Sequence, residues 1–155
     1  MRLIATIEGE EITELDDGRV RWVAKAAIDS DGIGPHHGDK TAQDDTSLHY
    51  EGKPLNADLD RYIVVPPAII RGVKGVVLGC QAEVTNTDNG RWTLAVVGDI
   101  GPHKKLGEMS CACAEALRLN PSPVDGGTDK HIIQYVITPG VAANVKGKQY
   151  TLKPS

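Results

Sequence analysis

The stretch "VVGDIGPHKKLGEMS", residues 96–110, decides how this chain is read. An apolar β-branched run ends in Asp99, a Gly-Pro turn follows, and nine positions later Glu108 opens what the spacing predicts as a helix. Two carboxylates therefore sit at the two ends of one loop. Such a pair suits general acid/base work. Local bonding satisfies the same spacing, with Asp99 accepting from turn amides around Gly101 and Glu108 capping the helix.

Outward from that stretch, strand patterns dominate. "RLIATI" and "RVRWVAKAAI" flank the turn "ELDDG" and predict an N-terminal hairpin, set apart as an extension over residues 1–23. Residues 31–60 are polar and rich in Gly, Asp and His, and are expected to form a long connecting or functional loop. "RYIVVPP", "GVVLGCQAEV" and "RWTLAVVG" are β-branched runs, the last two separated by "TNTDNG", whose Asn-Gly signals a hairpin turn. "EMSCACAEALRL" is the one convincing helix, expected over residues 108–119, with Met109, Cys113, Ala116 and Leu117 at helical spacing. "HIIQYVITPG" supplies a last long strand and "QYTLKP" an edge. Many strands with one main α-helix predict a mainly β fold, a small six-stranded closed barrel in a single domain of 155 residues. No glycine-rich phosphate loop or alternation of strands and helices supports a nucleotide-binding fold.

Composition narrows the partners. A net charge of -4, with no Lys/Arg block longer than two residues, argues against a nucleic acid and suits a cationic ligand. Phe is absent, so the core must come from Val, Ile, Leu and Ala. No apolar run approaches the roughly 20 residues of a membrane span. "MRLIATIEGEE" turns acidic too early for a signal peptide, so we expect a cytosolic chain or one released extracellularly after losing a leader. Cys80, Cys111 and Cys113 are expected as buried reduced thiols. A zinc site would need a fourth convergent ligand, and His36 and His37, being adjacent, do not easily face one ion. Neither a metal nor another cofactor is expected.

In order, "AAIDSDG", "DKTAQDDTSL", "LDRYIVVPP", "GVVLGCQAEV", "LAVVGDIGP" and "LGEMSCACAEAL" resemble the family 75 glycoside hydrolases, the fungal-type chitosanases, over roughly residues 24–140. The "VVGDIGP" segment also resembles the double-psi β-barrels of expansins and rare lipoproteins, so the resemblance implies a double-psi-like barrel. It further implies that Asp99 and Glu108 are the catalytic pair acting with inversion on an amino-sugar polysaccharide. It sets Asp29 and Asp31 beside the substrate groove, where their charge would neutralise glucosamine ammonium groups, with Asp44 and Asp45 adding to the field. Tyr62 and Trp92, with Tyr50 and Trp22, are the aromatics available to stack on a sugar. A calcium-like Asp-x-Asp-Gly turn is the other reading of residues 29–32.

Glu108 is assigned as acid and Asp99 as base by analogy, and the reverse assignment stays open. A helix N-terminus at Glu108 would favour its charged form, opposite to what a general acid needs. The family's secreted members carry a leader and disulfides, and where they have Asp-Cys-Asp-Gly this chain has Ser30. Peptidoglycan as the substrate of a phage-type relative, or polysaccharide binding without cleavage, therefore stand beside chitosan.

Overall fold

The computed structural model describes residues 1–154. The elements are β1 (Arg2–Ile7), β2 (Glu10–Glu14), β3 (Val20–Asp29), β4 (His49–Tyr50), β5 (Lys53–Pro54), β6 (Tyr62–Val65), α1 (Pro67–Gly72), β7 (Cys80–Asn86), β8 (Trp92–Ile100), β9 (Glu108–Ser110), α2 (Cys111–Ala116), β10 (Thr128–Ala142), β11 (Asn144–Val145) and β12 (Lys148–Gln149). Six of them close a barrel in the order β3-β10-β7-β8-β6-β9, with β9 returning to β3. The β6–β8 and β9–β3 pairs are parallel and the other four antiparallel, so the barrel is mixed. The expected mainly β fold is the observed one, with two short helices in place of one long one.

Alternation along the strands fills the interior. Trp22, Ala24 and Ile28 of β3, Ile63 of β6, Ala82 and Val84 of β7, Ala95 and Val97 of β8, Met109 of β9 and Tyr135 of β10 share the inner face by register. Trp22 and Tyr135 lie directly opposite and stack, their rings 5.2 Å apart and 8° from parallel. Without Phe, this pair supplies the bulk at the barrel centre.

Three local expectations need correction. The N-terminal hairpin is β1 with β2, not β1 with β3, because Glu8 and Gly9 both take positive φ (51° and 77°) and make a two-residue turn. The intervening "EEITE" is thereby an edge strand, with Ile12 its one buried residue. The helix expected over 108–119 spans only Cys111–Ala116, because Glu108, Met109 and Ser110 are drawn into the ladder between β3 and β6. Ser110 then caps the helix, its Oγ accepting from Cys113 N at 3.2 Å while also accepting from Tyr62 N. A further helix, α1, follows Pro66 and Pro67 where only a strand end was expected.

Gly98 carries the irregularity that matters most. Ile63 pairs with Val97 and Val64 with Asp99, leaving Gly98 as an extra residue in β8. Val97 faces inward, so strict alternation would turn Asp99 inward too; the bulge moves it to the outer face beside Val64. A Cβ on Gly98 would come within 2.7 Å of both Leu55 Cδ1 and Tyr62 Cβ. Gly98→Ala is expected to lower stability by roughly 1–3 kcal/mol through this overpacking, read as a lower urea midpoint. An unchanged midpoint would show that the site tolerates the added methyl.

Candidate functional site

The register sets Asp99, Val64, Glu108 and Ala27 in one row across β8, β6, β9 and β3. All four lie on the outer face. Asp99 and Glu108 are thus two strand spacings apart, with Cα atoms separated by roughly 9–10 Å. Gly101 sits between them, where a Cβ would meet Glu108 Oε2 at 2.9 Å and Val64 at 3.0 Å. Asp29 follows two residues after Ala27 on the same strand and face.

Residues 31–60 fold down over this face. Leu48 N donates to Gly98 O, Ile33 N to Leu55 O, and Leu55 is fully buried. Asp31 and Ser47 arrive on that segment. Asp99, 7% exposed, accepts on Oδ1 from Ser47 N (3.0 Å), Ser47 Oγ (2.6 Å) and its neighbour Ile100 N (3.0 Å). Asp29 Oδ1 accepts from Asp31 N at 2.7 Å, and Asp31 Oδ1 from Gln43 N at 2.7 Å. One oxygen from each of Asp29, Asp31 and Asp99 lies within 4.8 Å of the others, close enough to hold a hard cation.

Burial, more than any other cause, disfavours charge on three of these carboxylates. Asp29 is pushed up to about 7 by burial, with Asp31, Asp99 and Glu108 adding repulsion against the relief given by the Asp31 amide. Asp31 is raised by burial and by Asp99, against the Gln43 amide. Glu108 is raised by burial; Lys105 and Lys25 oppose that, and Asp31 and Asp99 reinforce it. The helix-dipole effect expected at Glu108 does not arise, since the residue belongs to a strand and Ser110 is the cap.

The two aromatics expected to stack on a sugar are placed otherwise. Tyr62 is 0% exposed, closed beneath the 31–60 segment, and its hydroxyl donates to Asp31 O at 2.9 Å. It offers no ring face to a ligand and instead positions Asp31. Trp92 is 60% exposed but starts β8, seven residues and about 23 Å of strand from Asp99. It lines a groove of about 610 Å³ with the basic Arg61, Arg91, Arg118 and Lys146 and the acidic Asp58 and Glu115. Trp22 is inside the barrel, and Tyr50 packs edge-on to Tyr150 under the Lys148 ammonium. Asp44 is fully exposed and Asp45 pairs with His49 at 2.7 Å, both apart from the cluster.

Two arrangements lay beyond sequence reasoning. Ser47 has no local motif that marks it as the partner of Asp99, 52 residues away. A second group, His37, Asp58 and Cys111, converges to within 4.8 Å although its members are widely spaced in the chain. Burial and then Asp58 push the Cys111 thiol up to about 11. No protein-family model matches the chain, and a search of curated proteins finds no match either.

The carboxylate cluster makes stability depend on pH with a defined sign. Ionising Asp29 costs more in the folded chain than in the unfolded one, where its value is 3.8. Its stabilising contribution is full below about pH 4 and is lost as pH rises through about 7. Asp31 and Glu108, also raised, act in the same direction. Asp29→Asn is therefore expected to stabilise the protein at pH 8 by on the order of 4 kcal/mol and to flatten the decline in melting temperature between pH 4 and 7. A melting profile with an unchanged slope in this variant would contradict the assignment.

Proposed function

We propose that the chain is a glycoside hydrolase of the family 75 kind on a double-psi-like barrel, cleaving β-1,4 linkages of an amino-sugar polysaccharide with inversion. The observation that carries this is the row Asp99–Val64–Glu108, two carboxylates on one outer face with an apolar residue between them. Their spacing is compatible with the roughly 6.5–9.5 Å between carboxyl groups that leaves room for a water in an inverting reaction. Glu108, whose charged form burial disfavours against the pull of Lys105 and Lys25, has the character of the acid that protonates the leaving oxygen. Asp99 has Oδ1 anchored by three donors, which leaves Oδ2 to take a proton from the attacking water. As C–O cleavage proceeds, Glu108 gives up its proton and Asp99 gains one, so the pair exchanges roles without net change. Asp29 and Asp31 supply the field for a substrate ammonium group.

Chitosan is the first substrate to test. Peptidoglycan is the second reading, favoured by the groove in which four basic side chains, Arg61, Arg91, Arg118 and Lys146, outnumber two acidic ones, Asp58 and Glu115, a net positive lining that suits carboxylate-bearing strands. Incubation with chitosan, chitin and peptidoglycan, counting reducing ends, distinguishes these and tests catalysis itself. Asp99→Asn and Glu108→Gln are each expected to lower turnover at least about 100-fold while leaving the melting curve cooperative. Activity above a third of wild type in either variant removes that residue from the mechanism. With chitosan, KM is expected to rise between low salt and ~0.5 M salt as the acidic field is screened. A salt-independent KM would shift the reading to peptidoglycan, and inertness on all three polymers would overturn it.

A further inference from the structure

His37, Asp58 and Cys111 form a group chemically unlike the carboxylate cluster. His37 Nε2 lies 2.9 and 3.0 Å from the two oxygens of Asp58. One donor atom from each of the three residues falls within 4.8 Å of the others. They come from three separate segments: the 31–60 loop near its start, the same loop near its end, and the first turn of α2. Asp58 and Cys111 are held together by the backbone, because Ala112 N donates to Ala57 O at 2.8 Å. Asp58 is further fixed by its own amide donating to Asn56 Oδ1 at 2.9 Å. Two of the three donors thus share a rigid frame, and the half-exposed His37 ring is the part free to adjust.

All three face a cavity of about 420 Å³ that Glu115 and Asn120 also line. Glu115 stands one turn after Cys111, on the same side of α2. We propose that His37, Asp58 and Cys111 bind a zinc ion, with Glu115 or water as the fourth ligand and the cavity as the access path. Thiolate, imidazole and carboxylate together suit a borderline-soft ion rather than calcium or magnesium. Tetrahedral zinc keeps its ligand atoms roughly 3.3–3.7 Å apart, so the group needs to close by only about 1 Å. The ion would pin the 31–60 segment to α2. It would thereby hold in place the segment that brings Asp31 and Ser47 to Asp99. This role is independent of whether the carboxylate row cleaves a sugar.

The test is titration of the metal-free chain with Co²⁺ and then Zn²⁺. One Co²⁺ per chain is expected, with a thiolate-to-cobalt charge-transfer band in the near ultraviolet that Zn²⁺ abolishes. At a hundredfold excess of zinc over Kd the melting temperature should rise by about 5–10 °C. Cys111→Ser should remove the band. His37→Ala, at a half-exposed position that threatens the fold less, should weaken Co²⁺ binding at least tenfold. Absence of the band in the wild type, or a band of equal affinity in His37→Ala, overturns the proposal. So does a rise in melting temperature without a band, which would place the ion on the all-oxygen group of Asp29, Asp31 and Asp99.

Discussion

The extra residue at Gly98 is the constraint on which the candidate site depends. Without it, β8 would carry Asp99 into the barrel interior, where an ionised carboxylate among Val, Ile and Met side chains would be prohibitively unstable. With it, Asp99 joins Val64 and Glu108 on the outer face. The same glycine lets Leu55 and Tyr62 approach the backbone of β8, since any side chain there would meet both at 2.7 Å. One position therefore sets the direction of a carboxylate and the seating of the loop that covers it.

That loop turns an exposed face into a partly closed one. By burying Leu48, Leu55 and Ala57 against the outside of β6 and β8, residues 31–60 build a second small apolar layer. The layer shields Asp29, Asp31 and Glu108 from water, and loss of solvation is the main cause of their raised values. Tyr62 links the two effects, with its ring in the apolar layer and its hydroxyl on the Asp31 carbonyl. The cluster tolerates its own repulsion by keeping a proton on Asp29 through much of the acid range.

The legible parts of the sequence were those whose signal is local. The β-branched runs of β6 and β8, and the turn at Asn89 and Gly90, appear where their side-chain periodicity and turn chemistry put them, whereas of the run over 75–84 only the part from Cys80 onward joins β7. The barrel followed from strand number and order. The length of α2 was not legible, because Glu108 and Met109 fit a helix by spacing and are claimed by strands on both sides only in three dimensions. Nor was the direction of Asp99, since a run of buried residues from Ala95 to Asp99 conceals which face each one takes. Tyr62 and Trp92 could be recognised as aromatics, but burial beneath a distant loop and distance along a strand decided what each can touch. The company of Ser47 with Asp99, and of His37 with Asp58 and Cys111, rests on the path of a segment that carries almost no regular structure.

The two convergent groups impose opposite demands on that segment. Asp29, Asp31 and Asp99 repel one another, so the turn that brings Asp31 down is held against electrostatic force by the Gln43 amide, the Tyr62 hydroxyl and apolar packing. Around His37 and Asp58 the contact is attractive, with His37 Nε2 at 2.9 Å from the Asp58 carboxylate, and a cation held between a neutral imidazole and that carboxylate would draw the two together. The segment is thus drawn inward at one group and strained by like charge at its neighbour, the two meeting where the Cys111 thiol faces the Asp29 carbonyl oxygen at 3.9 Å. A cationic group entering the carboxylate cluster would relieve that strain and favour ionisation of Asp29, so ligand binding there must release protons at mildly acid pH. The same entering charge would work against a proton on Glu108. An acid role for Glu108 therefore requires the ligand's charge to sit among Asp29, Asp31 and Asp99, nearer to them than to Glu108.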